Sequence, residues 1–191
     1  MLIFFIRLCL NKRKIRYNNS RKEANNSRER NTMGKILVAY FSASGSTKRV
    51  AEKLANGLGA DLFAIEPEVA YERADLDWTD SKARSTIEMN DPKCRPAIAG
   101  KVDGMDEYSA VFVGFPIWWY QEPRIIDTFM EQYDFSGKKV IPFATSGMSP
   151  LGNSAKNMAE LAPGADVIEG KRVSSGISEE ELTAWAKTLI G

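Results

Sequence analysis

Five short apolar runs, each followed by a stretch with helical periodicity, restrict this chain to alternating strands and helices. The runs are Lys35–Phe41, Asp61–Ile65, Val111–Phe115, Lys139–Ala144 and Ala165–Ile168. After the first, Val50, Ala51, Leu54, Ala55 and Leu58 repeat at helical spacing within Thr47–Leu58. A helix is expected around Asp80–Met89, another over Glu122–Tyr133 with Pro123 in its first turn, and a further one over Asn153–Leu161. Ser178-Glu179-Glu180-Glu181 reads as a capping box that opens a last helix through Ile190. This alternation argues for an α/β architecture, a parallel sheet covered by helices on both faces.

The junction between the first strand and the first helix carries the densest chemistry. Tyr40-Phe41-Ser42-Ala43-Ser44-Gly45-Ser46-Thr47-Lys48 places four hydroxyls and a glycine where a strand hands over to a helix. Side-chain donors, unpaired backbone N–H groups and the positive end of a helix dipole there suit one anion. Lys48 is taken as the cation of this run and lies beyond the turn. A Walker loop requires Gly-Lys-Ser/Thr four residues after a first glycine, and a dinucleotide fingerprint requires three glycines; neither spacing occurs here. A terminal monophosphate cupped by hydroxyls and amides fits better, against the simpler alternative that Ser46 or Thr47 merely caps the helix.

Composition removes several other chemistries. The chain of 191 residues has no histidine, which excludes His-based triads, His metal ligation and imidazole acid/base catalysis. Cys9 and Cys94 form no Cys-x-x-Cys pair, so neither a disulfide framework nor a zinc site is indicated, and the cytoplasm is the default compartment. Of 26 Lys+Arg and 25 Asp+Glu, residues 1–32 hold Arg7, Lys12, Arg13, Lys14, Arg16, Arg21, Lys22, Arg28 and Arg30 against Glu23 and Glu29. The remaining 17 basic and 23 acidic residues give net −6, an acidic domain behind a basic arm. Residues 1–32 are expected to be a disordered extension and 33–191 the functional domain. The apolar stretch Leu2–Leu10, broken by Arg7, is too short to span a bilayer, and no nucleic-acid partner is expected.

Two further loops complete a pattern. Val111–Phe115 runs into Pro116-Ile117-Trp118-Trp119-Tyr120, and Val140–Ala144 runs into Thr145-Ser146-Gly147-Met148-Ser149-Pro150-Leu151-Gly152. With Tyr-Phe-Ser-x-Ser-Gly-Ser-Thr, this combination resembles the flavodoxins, specifically a bacterial group whose second loop reads Pro-Ile-Trp-Trp, over roughly Lys35 to Leu189. The resemblance implies a flavodoxin-like three-layer α/β/α fold with a five-stranded parallel sheet of order 2-1-3-4-5. It implies FMN as cofactor, its phosphate at Ser42, Ala43, Ser44, Gly45, Ser46 and Thr47. The flavin ring would lie against Pro116, Ile117, Trp118, Trp119 and Tyr120, and against Thr145, Ser146, Gly147 and Gly152.

On an extended chain Trp118 and Trp119 would point opposite ways, one to the flavin and the other into the protein or solvent. Aromatic and acidic groups around a flavin disfavour added negative charge, which implies a low reduction potential. Two departures from well-known flavodoxins stand out. Thr145–Gly152 has no aromatic, which leaves one flavin face open or covered by Met148 or Pro150. Tyr120 stands where glycine often follows Pro-Ile-Trp-Trp, and a left-handed backbone there costs about 1–2 kcal/mol. The function implied is a low-potential electron-transfer protein working between a reductase and an acceptor protein. Alternatives are an FMN-dependent NAD(P)H:quinone-type oxidoreductase acting on a small-molecule acceptor, and a flavin-free binding module. The charged segment Glu66–Gly100 is longer than a crossover requires; Tyr71, Trp78 and Met89 could close the site, although anchoring a surface loop is the preferred role.

Overall fold

The computed structural model describes residues 34–191; the expected basic extension, residues 1–32, lies outside the described residues, as do Met33 and Cys9. Strands β1 (Lys35–Tyr40), β2 (Asp61–Ala64), β5 (Tyr108–Pro116), β6 (Lys139–Thr145) and β7 (Asp166–Val167) form one sheet in the order β2-β1-β5-β6-β7. All of its pairings are parallel. Counting these strands in chain order, with the short pair described below set aside, gives the expected 2-1-3-4-5. The chain leaves β1 toward β2 and then crosses to β5 on the other side, so a crevice opens at the carboxyl ends of β1 and β5.

Strand periodicity puts apolar side chains on both faces of the sheet. Leu37, Ala39, Val111, Val113 and Phe115 share one core with Ile125, Ile126, Phe129 and Met130 of helix α3 (Arg124–Gln132) and Met158 of α4 (Ser154–Leu161). Val38, Tyr40, Ala110, Phe112, Ile141 and Phe143 share the other with Val50, Ala51 and Leu54 of α1 (Ser46–Leu58) and Leu182 and Ala186 of α5 (Glu179–Ile190). Ser178 caps the last helix as expected, its Oγ accepting from the Glu181 N–H at 3.1 Å. No helix among the described residues is long and apolar enough to cross a membrane.

Two features differ from expectation. The fifth strand is split: after β7, a second piece, β8 (Lys171–Val173), also pairs in parallel with β6. Proline explains the break. The Val140 carbonyl accepts from the Ile168 N–H, so Pro142, two residues on, faces the same edge without an N–H to offer. The charged crossover also has structure of its own. β3 (Glu66–Pro67) pairs antiparallel with β4 (Ile98–Ala99), closing an excursion that contains a 3₁₀ turn at Ala74–Leu76 and helix α2 (Arg84–Asn90).

Candidate functional site

Backbone hydrogen bonds bring three loops to one edge. Phe41 N–H donates to the Gly114 carbonyl at 2.8 Å and Ile117 N–H to the Thr145 carbonyl at 3.1 Å, so the chain segments after β1, β5 and β6 leave the sheet side by side. Thr47 and Thr145, both buried, share a hydrogen bond between their hydroxyls at 2.8 Å and tie the first loop to the third.

The first loop does not end in a side-chain cap. Gly45 occupies the cap position of α1 with φ 81°, a conformation that suits glycine, and no side chain caps the helix. The simpler alternative for Ser46 and Thr47 is therefore replaced by a helix whose first N–H groups face the loop. Ser42 Oγ is buried and has no hydrogen-bond partner among the described residues. An unpaired buried hydroxyl beside an uncapped helix start fits a phosphate, whose oxygens accept from both. The cation at this loop is Arg49 rather than Lys48: its Nη2 donates to Ser46 Oγ at 3.3 Å, whereas the exposed Lys48 sits 4.0 Å from Glu52. Helical spacing explains this, since Arg49 lies one turn after Ser46 and points back toward the amino end.

A cavity of about 500 Å³ adjoins this loop. Ala43, Ser44, Pro116, Ile117, Trp118, Trp119 and Tyr120, all named from sequence, line it together with Leu76, Trp78 and Ser85 of the excursion. The last three were not among the expected site residues; they lie in a segment without hydrophobic period, and only the aromatic character of Trp78 marked it. Tyr71 and Met89 behave as anchors. Tyr71 packs against Phe41 and Trp118 and donates its hydroxyl proton to Glu88, while Met89 is buried.

The chain at the two tryptophans is not extended. Trp118 and Gln121 exchange two backbone hydrogen bonds of 3.0 Å, with Trp119 (φ 46°) and Tyr120 (φ 64°) left-handed between them, the pattern of a type I′ turn. The opposite-sides rule for extended chain therefore does not apply. Trp118 turns inward, edge-on to Phe41 and Tyr71, and Trp119 stays 39 % exposed, yet both border the cavity.

The third loop flanks the cavity without lining it. Ser146 Oγ donates to the Ser149 carbonyl, Arg172 donates to the Gly147 carbonyl at 3.3 Å, and Met148 is 91 % exposed. Gly152 is held left-handed (φ 63°), and a Cβ there would fall 1.9 Å from the Tyr120 carbonyl oxygen, so this loop abuts the tryptophan turn directly.

Behind the turn lies a group of buried charges that local sequence patterns did not announce. Glu122 is fully buried and accepts from Asn157 Nδ2 at 2.8 Å. Arg124 reaches Asp127 at 3.1 Å and the Met89 carbonyl at 3.3 Å, and Arg95 approaches Asp127 at 3.6 Å. Burial, reinforced by the nearby Glu122 charge, pushes the Asp127 carboxyl up to about 6 against the pull of Arg124 and Arg95.

The comparisons agree with this geometry. A family model described as flavodoxin matches residues 35–189. A candidate flavoprotein from Bacteroides eggerthii is 48% identical, covering 82% of this chain and 98% of that one, with a TM-score of 0.77. One from Bacteroides uniformis is 46% identical, over 82% and 99%, with a TM-score of 0.76. A flavoprotein from Lactobacillus acidophilus, solved in complex with FMN, shares the fold at 24% identity, over 80% and 99%, with a TM-score of 0.58. The comparison with curated proteins gives no match.

Proposed function

The chain belongs to the flavodoxin family, and from that premise we propose that it binds FMN and passes electrons between a reductase and an acceptor protein in the cytoplasm. The observation that supports this most is the uncapped start of α1 beside the unpaired Ser42 hydroxyl, at the switch point of a parallel sheet. The residues from Ser42 to Thr47 would hold the phosphate, with Arg49 adding positive charge. Pro116–Tyr120 would take the ring, and Thr145, Ser146, Gly147 and Gly152 would bound it from the other side. The group supplies one- and two-electron chemistry when bound.

The protein's part is to bind, orient and bias. Thr47 and Thr145 fix the first and third loops to each other, so the phosphate site and the ring site keep one spacing. Tyr71 and Phe41 support Trp118 edge-on, which holds the ring-facing turn in place. Domain 33–191, with net charge −6, would steer toward basic patches on partners. A second reading, an FMN-dependent reductase of small molecules such as quinones, is favoured by one observation: the third loop carries no aromatic and leaves the cavity unlined on its side. A flavin-free binding module is the remaining alternative.

Titration of apoprotein with FMN and with riboflavin tests the assignment. Replacing Ser44→Ala together with Thr47→Ala is expected to weaken FMN far more than riboflavin; equal losses would contradict a phosphate at this loop. Stepwise anaerobic reduction followed by absorption then separates one-electron from two-electron behaviour, and rapid turnover with NAD(P)H would favour the reductase.

A further inference from the structure

The excursion between β2 and β5 carries two side chains that the roles above leave unused. Ser85, in α2, is 2 % exposed and borders the cavity, yet its Oγ has no partner among the described residues. A buried hydroxyl in that state has lost its water without gaining a partner, which is destabilising. Trp78 borders the same cavity and is 74 % exposed, a large apolar surface left in water beside an apolar wall of Pro116, Ile117 and Trp118. One kind of ligand relieves both conditions. A flat ring would cover the indole and the apolar wall, and a polar atom at its edge would satisfy Ser85. A mostly apolar cavity with a few placed polar groups, here Ser85 on the side of the excursion, is the composition of a ring-binding site.

We propose that Trp78 and Ser85 recognise a flat aromatic ring system with a carbonyl or ring N–H at its edge, the indole taking a face and Ser85 Oγ the edge. The inference rests on the FMN reading, because two molecules offer this chemistry: the ring of FMN itself, or a second planar molecule lodged beside it. In both cases the aromatic cover that the third loop lacks is supplied by the excursion, from a segment some forty residues away from either tryptophan of the turn, roughly the length of one βαβ unit.

The full chain with Ser85→Ala and, separately, Trp78→Ala decides the matter in two arms. In the first, apoprotein is titrated with FMN, riboflavin and lumiflavin, read by flavin fluorescence. A loss of about tenfold for all three, lumiflavin included, assigns the flavin ring edge to Ser85. In the second, FMN-saturated protein is titrated with 2-methyl-1,4-naphthoquinone, read by tryptophan fluorescence. A loss of about tenfold there, with FMN affinity unchanged, assigns a second molecule. Wild-type protein that takes up FMN while neither variant changes either titration overturns this inference alone; wild-type protein that takes up no FMN overturns the cofactor reading and this inference with it. Because Trp78 is exposed, its removal keeps the test readable if a change at buried Ser85 disturbs folding.

Discussion

The two sides of the tryptophan turn are polar by different means. The loop from Ser42 to Thr47 offers neutral hydroxyls and backbone N–H groups from six consecutive residues. The side built from α2, the 92–97 segment and the start of α3 buries formal charges, Glu122, Arg124 and Asp127, drawn from separate parts of the chain. An unpaired buried hydroxyl carries a desolvation cost that a bound anion would relieve, whereas buried ions call for opposite charges within the protein. The first side therefore keeps uncharged donors, and the second sets Arg124 and Arg95 against Asp127.

Breaking that balance should have the largest effect. Arg124→Met removes the cation bonded to Asp127 and leaves that buried carboxylate, with buried Glu122 nearby, to Arg95 at 3.6 Å. The expected cost is about 3–5 kcal/mol, read as a fall in the urea midpoint of the apoprotein. The double variant at Ser44 and Thr47, which removes hydroxyls without stranding a charge, should destabilise the apoprotein far less. A small loss for Arg124→Met would show that the two sides do not differ in kind.

A pH titration sharpens the same contrast. Asp127 is raised to about 6 from an ordinary 3.8, so between these values the folded protein holds a proton that the unfolded chain has lost. That contribution to stability is fully present below 3.8 and disappears as pH rises through 6, with a slope of up to about 1.4 kcal/mol per pH unit. Glu131, lowered by its hydrogen bond to Arg95, acts in the opposite direction, as do Asp77 and Asp134, so the measurement must be a difference. Wild type minus Asp127→Asn, followed by denaturant unfolding from pH 4 to 7, isolates it. The difference should change with pH over this range; a flat difference would place Asp127 outside the ionic balance. The loop 42–47 has no titratable side chain and adds no slope of its own.

What could be read from the sequence follows the same division. The loop 42–47 is contiguous, so hydroxyl content, glycine position and the strand-to-helix change are all visible in one short window, and the strand and helix that flank it form as read. The sheet order and the helix cap at Ser178 are legible for related reasons of period and local spacing. The ionic group was not legible, because Arg95, Glu122, Arg124 and Asp127 meet only after α3 packs beside the excursion. Ser85 was hidden likewise, whereas Trp78 was marked by its aromatic character although an anchoring role was preferred for it. Arg49 was overlooked beside Lys48, although one helical turn of spacing brings it back to Ser46.

The tryptophan turn, between the two sides, shows tertiary structure overriding local preference. A type I′ turn favours Asn-Gly, since both central residues need positive φ, yet Trp119 and Tyr120 fill it here. The cost that the sequence assigned to a left-handed Tyr120 is thus already incurred in this structure, sustained by the Trp118–Gln121 hydrogen bonds and by Gly152 packed against the Tyr120 carbonyl. Tyr120→Gly removes that strain but frees the unfolded chain, and Tyr120 is 71 % exposed, so little packing is lost. The two backbone terms, about 1–2 kcal/mol gained against about 0.5–1 kcal/mol lost, leave a net stabilisation of about 0–1.5 kcal/mol. A higher thermal midpoint for the apoprotein would support this ledger. A lower one would mean that the tyrosine ring, despite its exposure, contributes more to closing the turn over the cavity than its backbone conformation costs.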